Sequence, residues 1–137
     1  MIIDAKDTIA GRLATYVTKQ ALLGETIDIV NAEKAVLSGS KKDLINKYTN
    51  RRVKGDPHFG PYFPRASHMI FKRMIRGMLP YKQTKGREAF KRIKCHKGVP
   101  KFFEGKEMVT LKQFHVSKLP TKKHLTFEKL SKLLGAK

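Results

Sequence analysis

Two sets of cations recur at helical spacing in the middle of this chain. Lys72, Arg73 and Arg76 occupy i, i+1 and i+4, and Arg87, Lys91 and Lys94 occupy i, i+4 and i+7. On a helix each set lies along one face. Rows of fixed cations make and break no bonds. They neutralise phosphates and release condensed counterions, so the affinity they give falls steeply with salt. Arg grips two oxygens through its planar fork, whereas Lys acts as a point charge. Arg51, Arg52, Lys54, Arg65, Lys82, Lys85 and Arg92 extend the set. With Lys97, residues 51–97 carry fourteen Lys and Arg against two acids, Asp56 and Glu88. The first fifty residues carry seven against six, and residues 98–137 nine against three. A net charge of +19 spread this unevenly calls for a polyanion, and nucleic acid is the usual one.

Aromatic residues stand among these cations. Phe59 and Tyr62, in the run HFGPYFPR, are placed to stack on exposed bases of a folded RNA. The alternative for Phe59, Tyr62 and Phe63 is a small satellite core under their own loop. No recognition-helix dimer motif, zinc finger or basic zipper is visible, which favours irregular RNA over a regular DNA groove.

Signals for catalysis are weak. The turn from Asp4 to Gly11 has one glycine and lacks the glycine-rich pyrophosphate fingerprint, and Ser38–Lys42 lacks Walker spacing. Asp4, Asp7, Asp28 and Glu33 could gather at strand ends around Mg²⁺, the arrangement of an RNA-processing enzyme. Helix capping and surface charge account for the same acids. Cys95 has no second cysteine with which to build a zinc site or a disulfide, and the five histidines show no ligand spacing. The expectation is no catalytic residue, no metal and no cofactor. Turnover on RNA with Mg²⁺, lost in Asp4→Asn, would favour the enzyme.

The elements that must position the cations follow from periodicity. Met1–Asp4 reads as a strand, and Asp7 or Thr8 as the cap of a helix with Ala10, Leu13, Ala14, Val17 and Ala21 on its buried stripe. Gly24 stops that helix, and Ile27–Val30 forms a second strand, completing a βαβ unit with parallel strands. Val36–Leu37 is a third, very short strand. Ser40 to Asp43 fits a capping box opening a helix with Leu44, Ile45 and Tyr48 inward, which runs out near Arg51–Arg52. Residues 53–66 hold three Pro and two Gly and form a long irregular loop. Ser67 caps a helix over 68–79 with Ile70, Phe71, Met74, Ile75 and Met78 buried, and Pro80 ends it. Thr84 or Gly86 starts another, running to about Lys94, with Ala89, Phe90 and Ile93 inward. Gly77 and Gly86 permit close backbone approach. Met108–Phe114 alternates as a strand. Thr126 caps a last helix, with Leu125 and Leu130 at hydrophobic-staple spacing and Gly135 after its end.

The length suits one domain over residues 1–137, and 40% hydrophobic residues are enough for one core. No apolar run approaches the roughly 18–20 residues of a membrane span, and the opening MIIDAKDT lacks signal-peptide features. A cytoplasmic protein is expected.

Several runs together resemble the universal large-subunit ribosomal protein 13 family. They are Met74-Ile75-Arg76-Gly77-Met78-Leu79-Pro80, then Gly86-Arg87, Ala89 and Arg92-Ile93-Lys94, then Lys97-Gly98-Val99-Pro100. Asp4-Ala5 with Gly11-Arg12-Leu13-Ala14, Ile29-Val30-Asn31-Ala32 and Ser38-Gly39 precede them in the same order. The loop residues Gly60-Pro61 and Pro64-Arg65 are closer to the archaeal and eukaryotic branch. The resemblance implies an α/β three-layer sandwich with a mainly parallel four-stranded sheet. It also implies a non-enzymatic constituent of the large ribosomal subunit that binds large-subunit ribosomal RNA, acts early in assembly and touches neighbouring ribosomal proteins. Neither a membrane nor homo-oligomerisation is expected. With the charge pattern, it assigns RNA contact to Arg51, Arg52, Lys54, Arg65, Lys72, Arg73, Arg76, Lys82, Lys85, Arg87, Lys91, Arg92 and Lys94.

Overall fold

The structure, a computed structural model, describes residues 1–136. Strand β1 (Ile2–Asp4), helix α1 (Ala10–Leu22) and strand β2 (Ile27–Val30) form the expected βαβ unit, with Ile3 opposite Ile29 in a parallel pair. Helix α1 buries the whole predicted stripe. Each large apolar side chain there, Leu13 or Val17, contributes about 1.5–3 kcal/mol by leaving water. Gly24 stops the helix at a φ of 108°. Its N–H bonds the Ala21 carbonyl and that of Glu25 bonds Gln20, so two free carbonyls at the helix end are satisfied.

The start of α1 departs from expectation. Asp7 is left-handed (φ 53°), and the Thr8 hydroxyl donates back to the Ala5 carbonyl at 2.8 Å. Neither caps the helix, and Ile9 stands at the N-cap without a side-chain bond. The backbone explains this. The Thr8 carbonyl accepts from Val36 N–H, and Ile9 N–H donates to Phe114, so the chain stays extended past the polar residues.

The parallel sheet has three strands rather than four, ordered β1-β2-β4, where β3 is Val36–Ser38 and β4 is Ile93–Cys95. Strand β4 follows helix α4 (Thr84–Arg92) directly, so the helix ends before Lys94. Ile93 is fully buried, as expected, but as the strand partner of Ile27. Strand β3 does not join this sheet. Left-handed Asn31 and a 3-10 turn over Ala32–Lys34 swing the chain away. It pairs antiparallel with β5 (His124–Thr126) in a separate two-stranded sheet. The strand expected over Met108–Phe114 reduces to a single bridge between Val109 and Ile3, then a 3-10 turn at Lys112–Phe114. No residue of that segment is buried, so nothing fixes a strand register there.

The remaining helices are α2 (Lys41–Val53), α3 (Ser67–Met78) and α5 (Phe127–Leu133). Ser40 caps α2 by accepting from Asp43 N–H, while its own hydroxyl donates to the Asp43 carboxylate at 2.6 Å. Leu44 and Tyr48 are buried, and Ile45 is half-buried. Thr126 caps α5 and the Leu125–Leu130 staple is buried, both as predicted. Ser67 is instead the first residue inside α3, because the Ser131 hydroxyl holds the Arg65 carbonyl at 2.6 Å and fixes the chain just ahead of it. Met78 is 41% exposed and Leu79 takes the inner place, since the helix ends at Met78 and the extended backbone of Leu79 redirects its side chain. Helix α3 packs on α1, α5 and β4, with Phe71 against Phe127 at 5.3 Å between ring centres.

Candidate nucleic-acid interface

The loop between α2 and α3 is ordered by its own backbone. Asp56 and Gly60 exchange two N–H···O bonds, and the Asp56 carboxylate accepts from His58 N–H at 2.7 Å. Gly55 makes the loop possible. A Cβ there would lie 2.5 Å from the Gly60 carbonyl oxygen, and its φ is 112°. Phe59 stands at the tip, 90% exposed. Tyr62 is 68% exposed, yet its hydroxyl lies 2.9 and 2.8 Å from the Pro57 and His58 carbonyls and donates to one at a time. The ring is therefore held by its edge. Phe63 alone follows the satellite-core alternative, tilted against Tyr48 at 5.9 Å.

Helices α3 and α4 meet through a tight turn. At Gly86 a Cβ would come within 2.2 Å of the Pro80 carbonyl oxygen, so the first turn of α4 rests on backbone that no larger residue admits. At Gly77 a Cβ would meet open space, so close approach explains Gly86 and not Gly77. Local aromatic rings support three of the cations. Lys72 Nζ stands 5.0 Å from the Phe90 ring centre, and the guanidinium carbons of Arg76 and Arg51 stand 4.0 Å and 5.6 Å from those of Tyr81 and Tyr48. Such contacts stabilise by about 0.5–1 kcal/mol each at exposed sites and restrict the side chain.

The loop and the two helices enclose a groove of about 390 Å³. Tyr62, Phe63, Met69 and Phe90 give it apolar walls, and Lys72, Arg73 and Arg76 line it as well. A second recess of about 320 Å³ joins Arg73 to Arg51 and Lys54 across Phe63. Five of the sequence-predicted cations thus converge on one face. Lys82, Lys85, Arg87 and Lys91 are exposed along α4 and the turn before it. Lys94 is exposed too, but on β4, so the α4 row consists of Arg87 and Lys91.

Two of the predicted residues also hold the fold together. Arg52 Nη1 donates to the Leu134 carbonyl at the end of α5 at 2.7 Å. Arg92 Nη1 donates to the Ala21 carbonyl at the end of α1 at 3.3 Å, and Arg92 pairs with Glu88 at 3.9 Å. Cations at helix C-termini offset the partial negative charge there. The Arg65 and Arg52 guanidinium groups both approach Gly135. Among the described residues, Arg92 is the one cation of the fourteen paired with a carboxylate. Sequence spacing missed a further basic groove of about 400 Å³, lined by Lys41, His124, Lys129, Lys132 and Leu133. Only the β3–β5 pairing brings Lys41 near Lys129, so no local pattern could have shown it.

Three of the four acids proposed for a metal are occupied elsewhere. Asp4 accepts from Asn31 Nδ2 and Lys6 N–H, both at 2.9 Å; Asp28 lies 3.0 Å from His96 Nε2; and Glu33 accepts from Gly98 N–H at 3.0 Å. Among the described residues no three His, Cys, Asp or Glu side chains gather as a metal set. Burial pushes the Cys95 thiol up to about 12, the opposite of an activated nucleophile. His68 buries Nδ1 without a hydrogen-bond partner among the described residues, and burial lowers its pKa. No described helix is long and apolar enough to cross a membrane.

The chain is similar to known proteins over its length. The family profile described as Ribosomal protein L13 matches residues 1–101. A protein of Methanocaldococcus jannaschii named large ribosomal subunit protein uL13 is 48% identical over 140 residues, covering 99% of this chain and 98% of its own length. Proteins of the same name from Methanosarcina barkeri and Methanococcoides burtonii are 44% and 43% identical, with the same coverage.

Proposed function

The chain belongs to the ribosomal protein L13 family, and on that premise we propose that residues 51–97 dock it onto large-subunit ribosomal RNA. It is a structural, non-catalytic constituent of the large ribosomal subunit. The RNA-facing set is the one named above, with Arg51, Lys54, Lys72, Arg73 and Arg76 at its centre and Arg87 and Lys91 extending it along α4. Arg52 and Arg92 contribute by fixing helix ends, and their remaining guanidinium nitrogens face the same partner. Docking early in subunit assembly fits a surface that needs RNA to balance its charge, and neighbouring subunit proteins cover part of the remainder.

The observation that carries this reading is the lack of carboxylate partners. Thirteen of the fourteen Lys and Arg in this segment have none among the described residues. Unpaired like charges repel one another, and the repulsion is relieved when phosphates arrive. The test is binding of the full chain to protein-free large-subunit RNA across a salt series. With roughly six to ten phosphate contacts, affinity should fall about 10³–10⁵-fold between 50 and 200 mM salt. Replacing Arg73 and Arg76 together by Ala should weaken binding and reduce the salt slope by roughly one to two. An unchanged affinity and slope in that variant would count against the proposal.

A further inference from the structure

We propose that the groove between the loop and helices α3 and α4 receives a single unpaired nucleotide, its base against the Tyr62 ring and its flanking phosphates on Arg73 and Arg76. This rests on the RNA-docking reading above and specifies what that RNA must present.

Three features of the groove lead there. The first is its apolar wall. Tyr62 and Met69, both lining it, are 68% and 45% exposed. A surface built only to grip a phosphate backbone uses cations and hydroxyls and has no need of bare rings beside them. Inside a double helix each base covers the faces of its neighbours, so paired RNA offers an aromatic wall nothing to stack on. An extruded base offers both of its faces.

The second feature is size. At about 390 Å³ the groove lies near the lower end of the roughly 300–1,000 Å³ typical of small-ligand sites. That suits one nucleoside and is too small for a helical segment.

The third is charge placement. Lys72, Arg73 and Arg76 line the same groove, and Lys72 Nζ stands 5.0 Å from the Phe90 ring centre. A nucleotide within a chain carries a phosphate on each side, and cations beside an aromatic wall match that pattern. Arg73 also lines the neighbouring recess with Arg51 and Lys54, which continues the positive track along the backbone leading away. The Tyr62 ring is preorganised for the contact, because its hydroxyl is tethered to the Pro57 and His58 carbonyls while most of its surface stays open. Stacking of this kind is tolerant of base identity, so the groove selects an unpaired nucleotide rather than a sequence.

The test compares two RNA hairpins that differ by one bulged nucleotide, each titrated with the full chain at fixed salt. Wild type should prefer the bulged hairpin. Tyr62→Ala should lose that preference through a fall of roughly five- to 150-fold on the bulged hairpin, the range for a base stacked on an aromatic ring. Its affinity for the paired hairpin should not change. Tyr62→Phe should retain the preference, since it keeps the ring. Both variants give up the bond from the Tyr62 hydroxyl to a loop carbonyl and only Tyr62→Ala gives up the ring, so comparing their melting and binding separates loss of stacking from loss of the tether. Equal affinity for both hairpins, or a preference that survives Tyr62→Ala, overturns the proposal. The first result would also follow if the groove seats an acidic protein segment instead. Both cases leave the RNA-docking reading standing. Binding to neither hairpin, nor to large-subunit RNA, removes both readings together.

Discussion

The first fifty residues and the next forty-seven are built on opposite terms. In the first region polar groups find partners within the chain: Asp4 holds Asn31, Asp28 meets His96, Glu33 meets Gly98, and Ser40 closes on Asp43. Its charge nearly cancels, and its apolar stripe is fully buried. In the second region the cations outnumber the acids seven to one; three stand over aromatic rings, two donate to helix-end carbonyls, and among the described residues only Arg92 meets a carboxylate. The charges of one region are balanced within the chain, and those of the other are balanced only against a polyanion. The two regions differ in surface charge rather than in core, since Phe71, Ile75 and Ile93 of the second are buried together with the first.

Mutations can sharpen or break that division. The largest effect on stability is expected at Leu13, fully buried on α1. Leu13→Ala should cost about 2–5 kcal/mol in denaturant unfolding through lost burial and a cavity. The salt slope of RNA binding by the folded fraction should stay as in wild type. Gly86→Ala tests the boundary from the other side, because it lies in the basic region yet meets Pro80 backbone. Overpacking of this kind should cost roughly 1–3 kcal/mol, read as a lower melting temperature. An unaltered melting temperature would show that the turn yields easily.

Arg51 and Arg52 give a finer comparison between neighbours. Arg52→Ala should lose about 1 kcal/mol of stability through its bond to the Leu134 carbonyl. Arg51→Ala should lose only about 0.5 kcal/mol, through its contact with the Tyr48 ring, and should weaken RNA binding. If the two variants prove interchangeable in both measurements, the assignment of roles fails.

The smallest effect concerns acid. Burial lowers the pKa of His68 in the folded chain below its ordinary 6.5, so the unfolded chain binds a proton more readily. Stability from this group is complete above about pH 6.5 and is lost as pH falls below it toward the lowered value. Unfolding measured from pH 7.5 to 5 should show this decline, and His68→Gln should flatten it.

Much of the scaffold was legible because its signals are local. The α1 stripe, the Gly24 stop, the Ser40 cap and the Leu125–Leu130 staple all depend on residues a few positions apart. The cationic segment was legible for the same reason, since charge is read by counting. What escaped depends on distant partners. Strand β4 was read as the end of a helix because Ile93 suits either period, and only pairing with Ile27 decides between them. The helix-end roles of Arg52 and Arg92 depend on carbonyls of Leu134 and Ala21 far along the chain. Residues 108–114 alternate convincingly, yet without a buried face the pattern has nothing to act on.

The pairing of β3 with β5 has a bearing on how the protein is made. A growing polypeptide appears N-terminus first, and its early portion folds while the rest is still being added. The βαβ unit pairs its two strands within its own first thirty residues. Leu37, however, must wait for Leu125, and Val36 for Thr126. Through most of synthesis that short edge stands open, and closing so long a loop adds an entropic cost to its pairing. The antiparallel pair is thus among the last seams of the molecule to be sewn, after the entire basic segment has been added.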